Sequence, residues 1–412
     1  MLRIPKRTGQ RIQMGGGAML AVLFAAGLFG LFSFSIFMPH EVQVLPGADM
    51  DAGVLAGSVS STLVLAVPLP EKPRPLADPP KEVRGIYITS WVAGTKSRIE
   101  PLKAFLDSTD LDAAVVDIKD YSGYVAYRTG LRQFKDTGAE KQIRIGDIEK
   151  LIRELHDKNI YVLARVSVFQ DPVLAKAHPE WALKDARTGR IWLDHKGLAW
   201  MDPASREVWD YNLALAKNAL DLGFDEINFD YIRFPSDGET ADIVYPAWDK
   251  VRPKRDVLRE FFSYVREELK GALISADIFG QVTVDAGDPG IGQVLEDVYP
   301  YFDFVSPMVY PSHYRAGFRG YKNPAQYPYE VIRYSMDRAL ARRETLLASS
   351  TVPLGELRPW LQAFDLGATY DRRMIDLEIQ AVADSFRSAS TSAEWAGWLL
   401  WDPNNRYQGY KN

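Results

Sequence analysis

The sequence predicts a (β/α)8 barrel, and three observations predict it. Short apolar runs alternate with amphipathic stretches eight times between residues 83 and 401. The polar residues of those runs gather at their carboxyl ends, where such a barrel keeps its chemistry. The competing open, doubly wound sheet announces a nucleotide with a glycine-rich first turn. Here the first run ends Thr89-Ser90-Trp91, and Gly290-Ile291-Gly292 lies far from it and lacks a third glycine.

The elements follow in order. Arg3, Lys6, Arg7 and Arg11 precede a stretch without charge from 13 to 39, dominated by Ala, Leu, Phe, Val and Ile over 18–38. That length matches the roughly 20 residues of a membrane-spanning helix and exceeds the apolar region of a cleaved signal peptide. The basic side belongs in the cytoplasm. The expectation is a signal-anchor over 1–40, with the remainder extracytoplasmic; cleavage near Ala48 or Ala56, giving a secreted form, is the alternative. Residues 41–81 read as a linker, crowded at its end by Pro68, Pro70, Pro73, Pro75, Pro79 and Pro80 into a semi-rigid spacer.

The barrel then takes 82–412. Its expected strands are 83–91, 113–120, 160–169, 226–234, 273–280, 303–310, 358–364 and 397–401. Expected helices include 147–158, with Ile148, Leu151, Ile152 and Leu155 at helical spacing, and 205–222, which follows Asp202-Pro203 and aligns Trp209, Leu213, Ala216 and Leu220. Stretches 256–270 and 371–388 are similar.

Composition excludes several chemistries. A net charge of -5 offers no basic excess for nucleic acid. Zero cysteines rule out disulfides, a thiolate nucleophile and thiolate zinc sites. The five histidines form no His-x-His or His-Glu-x-x-His pair, so no metal or other cofactor is expected.

The strand ends carry the remaining signal. The run Glu226-Ile227-Asn228-Phe229-Asp230 places three polar residues on one face of a strand that should be buried. The other ends offer Asp117 and Lys119, Arg165 and Ser167, Ser275 and Asp277, Ser306 and Tyr310, Gln362, and Trp401 with Asp402. Two carboxylates on one rim suit glycosidic bond cleavage, which needs a nucleophile or base and a proton donor. Asp230 reads as the nucleophile, held ionised by Arg165 or Lys119. Asp277, flanked by Ala276, Ile278 and Phe279, reads as the acid, its pKa raised by an apolar setting. Trp91, Tyr121, Tyr310 and Trp401 would form a sugar platform. Asp117, Lys119, Arg165, Asn228, Arg233, Gln362 and Asp402 complete the substrate-binding set. Against this stands a bland alternative, in which Asp117 with Lys119, or Asp230 with Arg165, are buried ion pairs. Asp120 and Asp225 alternate out of phase and read as solvated or helix-packing.

The segment Gly223-Phe224-Asp225-Glu226-Ile227-Asn228-Phe229-Asp230-Tyr231-Ile232-Arg233-Phe234-Pro235 resembles the fourth-strand signature of a bacterial family of glycoside-hydrolase-like barrels of unknown function. Val83-Arg84-Gly85-Ile86-Tyr87, Val116-Asp117-Ile118-Lys119-Asp120 and Trp200-Met201-Asp202-Pro203 are similar to its first strand, its second strand and the segment before its fourth helix. The resemblance covers about residues 82–410. That family is distantly similar to α-amylase and α-galactosidase barrels, whose strand-four aspartate nucleophile falls here on Asp230. The amylase pattern expects Glu where strand five has Asp277, and strand six lacks the carboxylate of the galactosidase pattern. The implied activity is hydrolysis of a cell-surface or extracellular polysaccharide. The alternatives are a non-catalytic glycan-binding barrel of the cell envelope and a peptidoglycan-modifying hydrolase.

Overall fold

Strands covered by helices outside and packed side chains inside are buried on both faces, and four of these segments are. β1 Val83–Ile88, β2 Ala113–Lys119, β3 Tyr161–Ser167 and β4 Glu226–Asp230 are buried at every residue except Arg84. β5 Ile274–Phe279, β6 Phe304–Met308 and β8 Gly397–Trp401 continue the series. β7 comes in two pieces, Glu356–Leu357 and Trp360–Gln362. The break falls at Pro359, which has no N–H for the ladder. The first piece pairs with β6 and the second with β8, and Trp360 also pairs with Met308 of β6. With β8 paired to β1, all neighbours are parallel and the sheet closes.

This computed structural model describes residues 72–389 and 395–411. The expected signal-anchor over 1–40 and the linker to residue 71 lie outside the described residues. Among the described residues, no helix is long and apolar enough to cross a membrane.

Each strand is followed by a helix: α1 Lys96–Asp107, α2 Ile148–His156, α3 Arg206–Asp221, α4 Lys254–Glu268, α5 Leu295–Val298, α6 Pro328–Leu347, α7 Arg372–Ser388 and α8 Gln408–Lys411. Side chains fix several starts. Asp147, Ser205 and Asp371 each accept a backbone N–H from the first turn of α2, α3 and α7. Apolar side chains such as Ile86, Val116, Phe229 and Phe261 pack between strands and helices. A second apolar cluster, with Val115, Tyr161, Leu163, Trp360 and Leu399, fills the barrel itself.

The base of the barrel is closed by an ion pair. Arg358 and Glu226 are both fully buried and paired through two contacts, one of 3.1 Å, and the Tyr161 hydroxyl donates to Glu226 at 3.1 Å. Glu226 therefore balances Arg358 at the end opposite the rim. Asp225 also serves the base, accepting the amides of Leu76 and Val162 at 2.6 Å and facing His156 Nε2 at 2.9 Å. The chain thus reaches the barrel at its base. Gly223 accommodates the approach: its φ is +96°, and a Cβ there would sit 2.6 Å from the Pro73 carbonyl. On the rim side, the loops after β3 and β4 are joined by a short antiparallel ribbon, Lys184–Asp185 with Ile243–Val244.

Candidate active site

Inward-facing residues of adjacent parallel strands meet where their register aligns them. Asp117 of β2 pairs with Arg165 of β3, and Arg165 with Asn228 of β4. Asn228 pairs with Ser275 of β5, and the same register carried two residues on sets Asp230 beside Asp277. Strand phase alone therefore brings three acids and one guanidinium to the upper layer of the barrel.

Arg165 is the hub. Its Nη1 donates to Asp117 Oδ1 at 2.6 Å, its Nη2 to Asp230 Oδ2, and its Nε lies 3.6 Å from Asp277 Oδ2. The guanidinium also faces the rings of Trp401 at 5.0 Å and Tyr87 at 5.5 Å. Tyr87 stacks on Trp401 with centroids 3.8 Å apart and donates its hydroxyl to Asp117.

The two catalytic candidates sit in different surroundings. Asp230 takes the Tyr231 amide at 2.5 Å on one oxygen and Arg165 on the other. Tyr231 adopts φ +52°, in a left-handed region costly for a bulky residue; such outliers concentrate at functional sites. Asp277 Oδ1 accepts from Asn228 Nδ2 at 2.8 Å and Trp360 Nε1 at 2.7 Å. Burial, and then the neighbouring Asp230 charge, push the Asp277 carboxyl up to about 7. Burial also raises Asp117, against the pull of Arg165. One cation faces three carboxyls, so a proton stays in this cluster near neutral pH.

Several buried polar atoms around Asp277 have no hydrogen-bond partner among the described residues: Arg165 Nε, Asn228 Oδ1, Ser306 Oγ and the Tyr310 hydroxyl. Ser306 pairs with Asp277 in register. Burial and the charges of Asp277 and Asp230 raise Tyr310 well above the usual phenol range, so it stays a neutral donor. Unpartnered buried groups are rare in folded proteins and demand an explanation. Here four of them gather around Asp277.

The other expected site residues divide. Arg233, at the rim beyond β4, stacks among Trp200, Phe279 and Tyr231. Trp91 and Tyr121 stand on the rim, 60% and 52% exposed, Trp91 lying over Arg144 at 4.5 Å. Lys119 does not join the group. A register shift between Asp117 and Lys119 turns it outward, where Nζ pairs with Asp171 at 2.8 Å and donates to Asn212 of α3 at 3.0 Å. Its placement beside Asp117 on one face is thereby corrected, and among the described residues Arg165 is the cation that pairs with Asp230. Gln362 ties loops, accepting the Ser312 amide at 3.1 Å and donating to the Phe364 carbonyl at 2.9 Å. Asp402 caps the final turn through the Asn404 and Arg406 amides at 2.9 and 2.7 Å. Asp120 pairs with Arg144 rather than being solvated.

Tyr87 and Trp360 touch the acids but escape a reading focused on charge. The available signals were phase and chemistry: Tyr87 is two residues from Gly85 on the inner face of β1, and a buried Trp N–H needs an acceptor.

A hypothetical protein from Ruminiclostridium thermocellum ATCC 27405 is 36% identical, covering 47% of this chain and 96% of its own, with a TM-score of 0.42. The α-galactosidase TtGalA from Thermus thermophilus is 13% identical over 81% of this chain, with a TM-score of 0.46, and the match covers 60% of the galactosidase. The glycoside hydrolase domain of PelA from Pseudomonas aeruginosa is 14% identical, covering 78% of this chain and 94% of that domain, with a TM-score of 0.40. No protein of curated function matches. One family model spans residues 85–407, from the middle of β1 to the turn beyond β8, and the chain belongs to the family it describes, "Putative glycosyl hydrolase domain".

Proposed function

We propose that the chain hydrolyses glycosidic bonds in a cell-surface or extracellular polysaccharide, with Asp230 as nucleophile and Asp277 as general acid/base. The observation that supports this most directly is the excess of acid over base around Arg165: Asp230 faces the guanidinium, while Asp277 holds a proton near neutral pH. Asp277 Oδ1 is occupied by two donors, which leaves Oδ2 to carry that proton. In the first step the Asp230 carboxylate attacks the anomeric carbon as Asp277 protonates the departing glycosidic oxygen. In the second, the Asp277 carboxylate takes a proton from water, which displaces Asp230 and regenerates both groups.

Asp230→Asn keeps the shape of the side chain and removes the nucleophile. It should abolish release of reducing ends while circular dichroism and melting stay native-like; full activity in this variant sinks the mechanism.

A second reading has an observation of its own. Arg165 pairs directly with both Asp117 and Asp230, as it would in a non-catalytic glycan-binding barrel whose acids are locked. Glycan binding by the wild type without any product release would favour it. For location, we read the uncharged stretch 13–39 behind four basic residues as a signal-anchor with the barrel outside the cytoplasm. Protease added to intact cells should then degrade the barrel, whereas a barrel protected until lysis rejects this reading.

A further inference from the structure

An acidic site repels acidic sugars unless cations nearby offset it, and among the described residues of the rim Arg233 and Lys196 are cations without an acidic partner. Arg233 is 9% exposed, yet among the described residues it forms no ion pair. Its Nη1 donates to the Phe234 carbonyl at 3.2 Å and to Ser236 Oγ at 3.1 Å, which leaves Nε and Nη2 without an acceptor among the described residues. That edge is the one a carboxylate or phosphate engages side-on through two parallel hydrogen bonds. The rings of Phe279 at 4.6 Å, Trp200 at 4.8 Å and Tyr231 at 5.4 Å fix the guanidinium plane. Asp230, Asp237 and Asp194 act on it only through space. Asp194 is committed elsewhere, accepting from Gln170, Trp200, and the Lys196 and Leu198 amides.

Lys196 is the second cation. It is exposed on the loop between β3 and α3, has no ion pair among the described residues, and its charge reaches His313 beyond β6. A buried guanidinium without a counter-charge is costly unless something compensates it. Three residues from Asp230, that compensation is available from a ligand.

We infer that the glycan carries an anionic group, a uronate carboxylate or a phosphate, bound by Arg233 with Lys196 as a second contact. The inference rests on the proposal that this rim binds glycan, but it does not require cleavage. Its test therefore uses binding in an Asp230→Asn background. Full-length protein in detergent is titrated with polygalacturonate, with carboxyl-reduced polygalacturonate, and with a phosphomannan. Polygalacturonate or phosphomannan should bind at least tenfold more tightly than the reduced polymer, and whichever binds better identifies the anion. Added salt should weaken the binding. Arg233→Gln should remove most of the preference. Lys196→Gln, a surface change that spares the fold, should reduce it several-fold.

Equal affinity for charged and reduced polymers, or a preference unchanged in both variants, overturns the inference. Reducing-end release by the wild type is scored separately. Charge-dependent binding without cleavage would reject the hydrolase and leave the anion site standing; cleavage with charge-blind binding would do the reverse.

Discussion

Asp277→Asn isolates the group on which the proposed chemistry turns. The substitution keeps Oδ1 as acceptor for Asn228 and Trp360 and removes a titration. In the folded protein Asp277 holds its proton up to about 7, against roughly 3.9 in an unfolded chain. Below the unfolded value both states are protonated and the group leaves stability unaffected. Between the two values the folded state keeps a proton that the unfolded state releases, so stability falls as pH rises, by ~1.4 kcal/mol per unit. Above pH 7 the loss is complete and reaches on the order of 4 kcal/mol. At roughly 2 °C per kcal/mol for a domain of this size, the wild type should lose up to ~8 °C more than Asp277→Asn between pH 4 and 8. Differential scanning fluorimetry across that range measures it. Under the proposed mechanism the same group also sets the activity profile, because a general acid works only while protonated. Wild-type kcat/KM should fall tenfold per unit above pH 7, and the variant should lose about 10²–10⁴-fold at its optimum. Melting curves with the same pH dependence in both proteins would refute a neutral-range titration at Asp277.

Three further outcomes follow from the same geometry. Arg165→Met removes the cation shared by Asp117, Asp230 and Asp277; it should cost about 3–5 kcal/mol at neutral pH and less in acid, read from urea melts at pH 5 and 8. Glu226→Gln breaks the base pair with Arg358 and should cost a similar amount, while leaving the shape of the activity–pH profile unchanged; a shifted profile would place Glu226 in the chemistry. Trp91→Ala strips an exposed ring from the rim and should raise KM for long oligosaccharides by about 2–10-fold, with little effect on short ones, measured over a chain-length series.

Strand phase was the legible part of this sequence. In a closed parallel barrel every second residue faces inward, so alternation within each strand and the shared carboxyl rim were enough to group Asp117, Arg165, Asn228, Asp230 and Asp277 from the sequence. The same count misplaced Lys119, because a local register shift inserts between it and Asp117 and alternation cannot detect an irregularity. Glu226 had the right phase but lies at the wrong end; depth along a strand depends on stagger between neighbours, which a single sequence does not state. Its partner Arg358 sits at the break in β7, beyond the reach of local pattern. Gln362 and Asp402 show a different limit: a polar residue at a strand end can serve the site or tie the loops above it, and only tertiary hydrogen bonds distinguish the two. Tyr87 and Trp360 were hidden because aromatic residues at inward positions are ordinary filler, and their polar handles matter only once an acid stands beside them.

The two charged layers inside the barrel differ in a way that bears on function. At the base one glutamate meets one arginine, and each is fully buried. That balance is what burial of charge demands, since an uncompensated ion loses several kcal/mol of hydration. At the rim the ratio is three acids to one guanidinium, within the same apolar wall. A purely structural cluster would gain by losing an acid, and replacing Asp277 with an amide would keep its hydrogen bonds to Asn228 and Trp360. The imbalance instead raises Asp277 into the neutral range while Arg165 stays on Asp230. Separating two carboxyl groups in this way is the electrostatic requirement for an acid and a nucleophile at one site. The stability lost at the rim is thus the same free energy that holds the proton on Asp277, and a variant that recovers the first should forfeit the second.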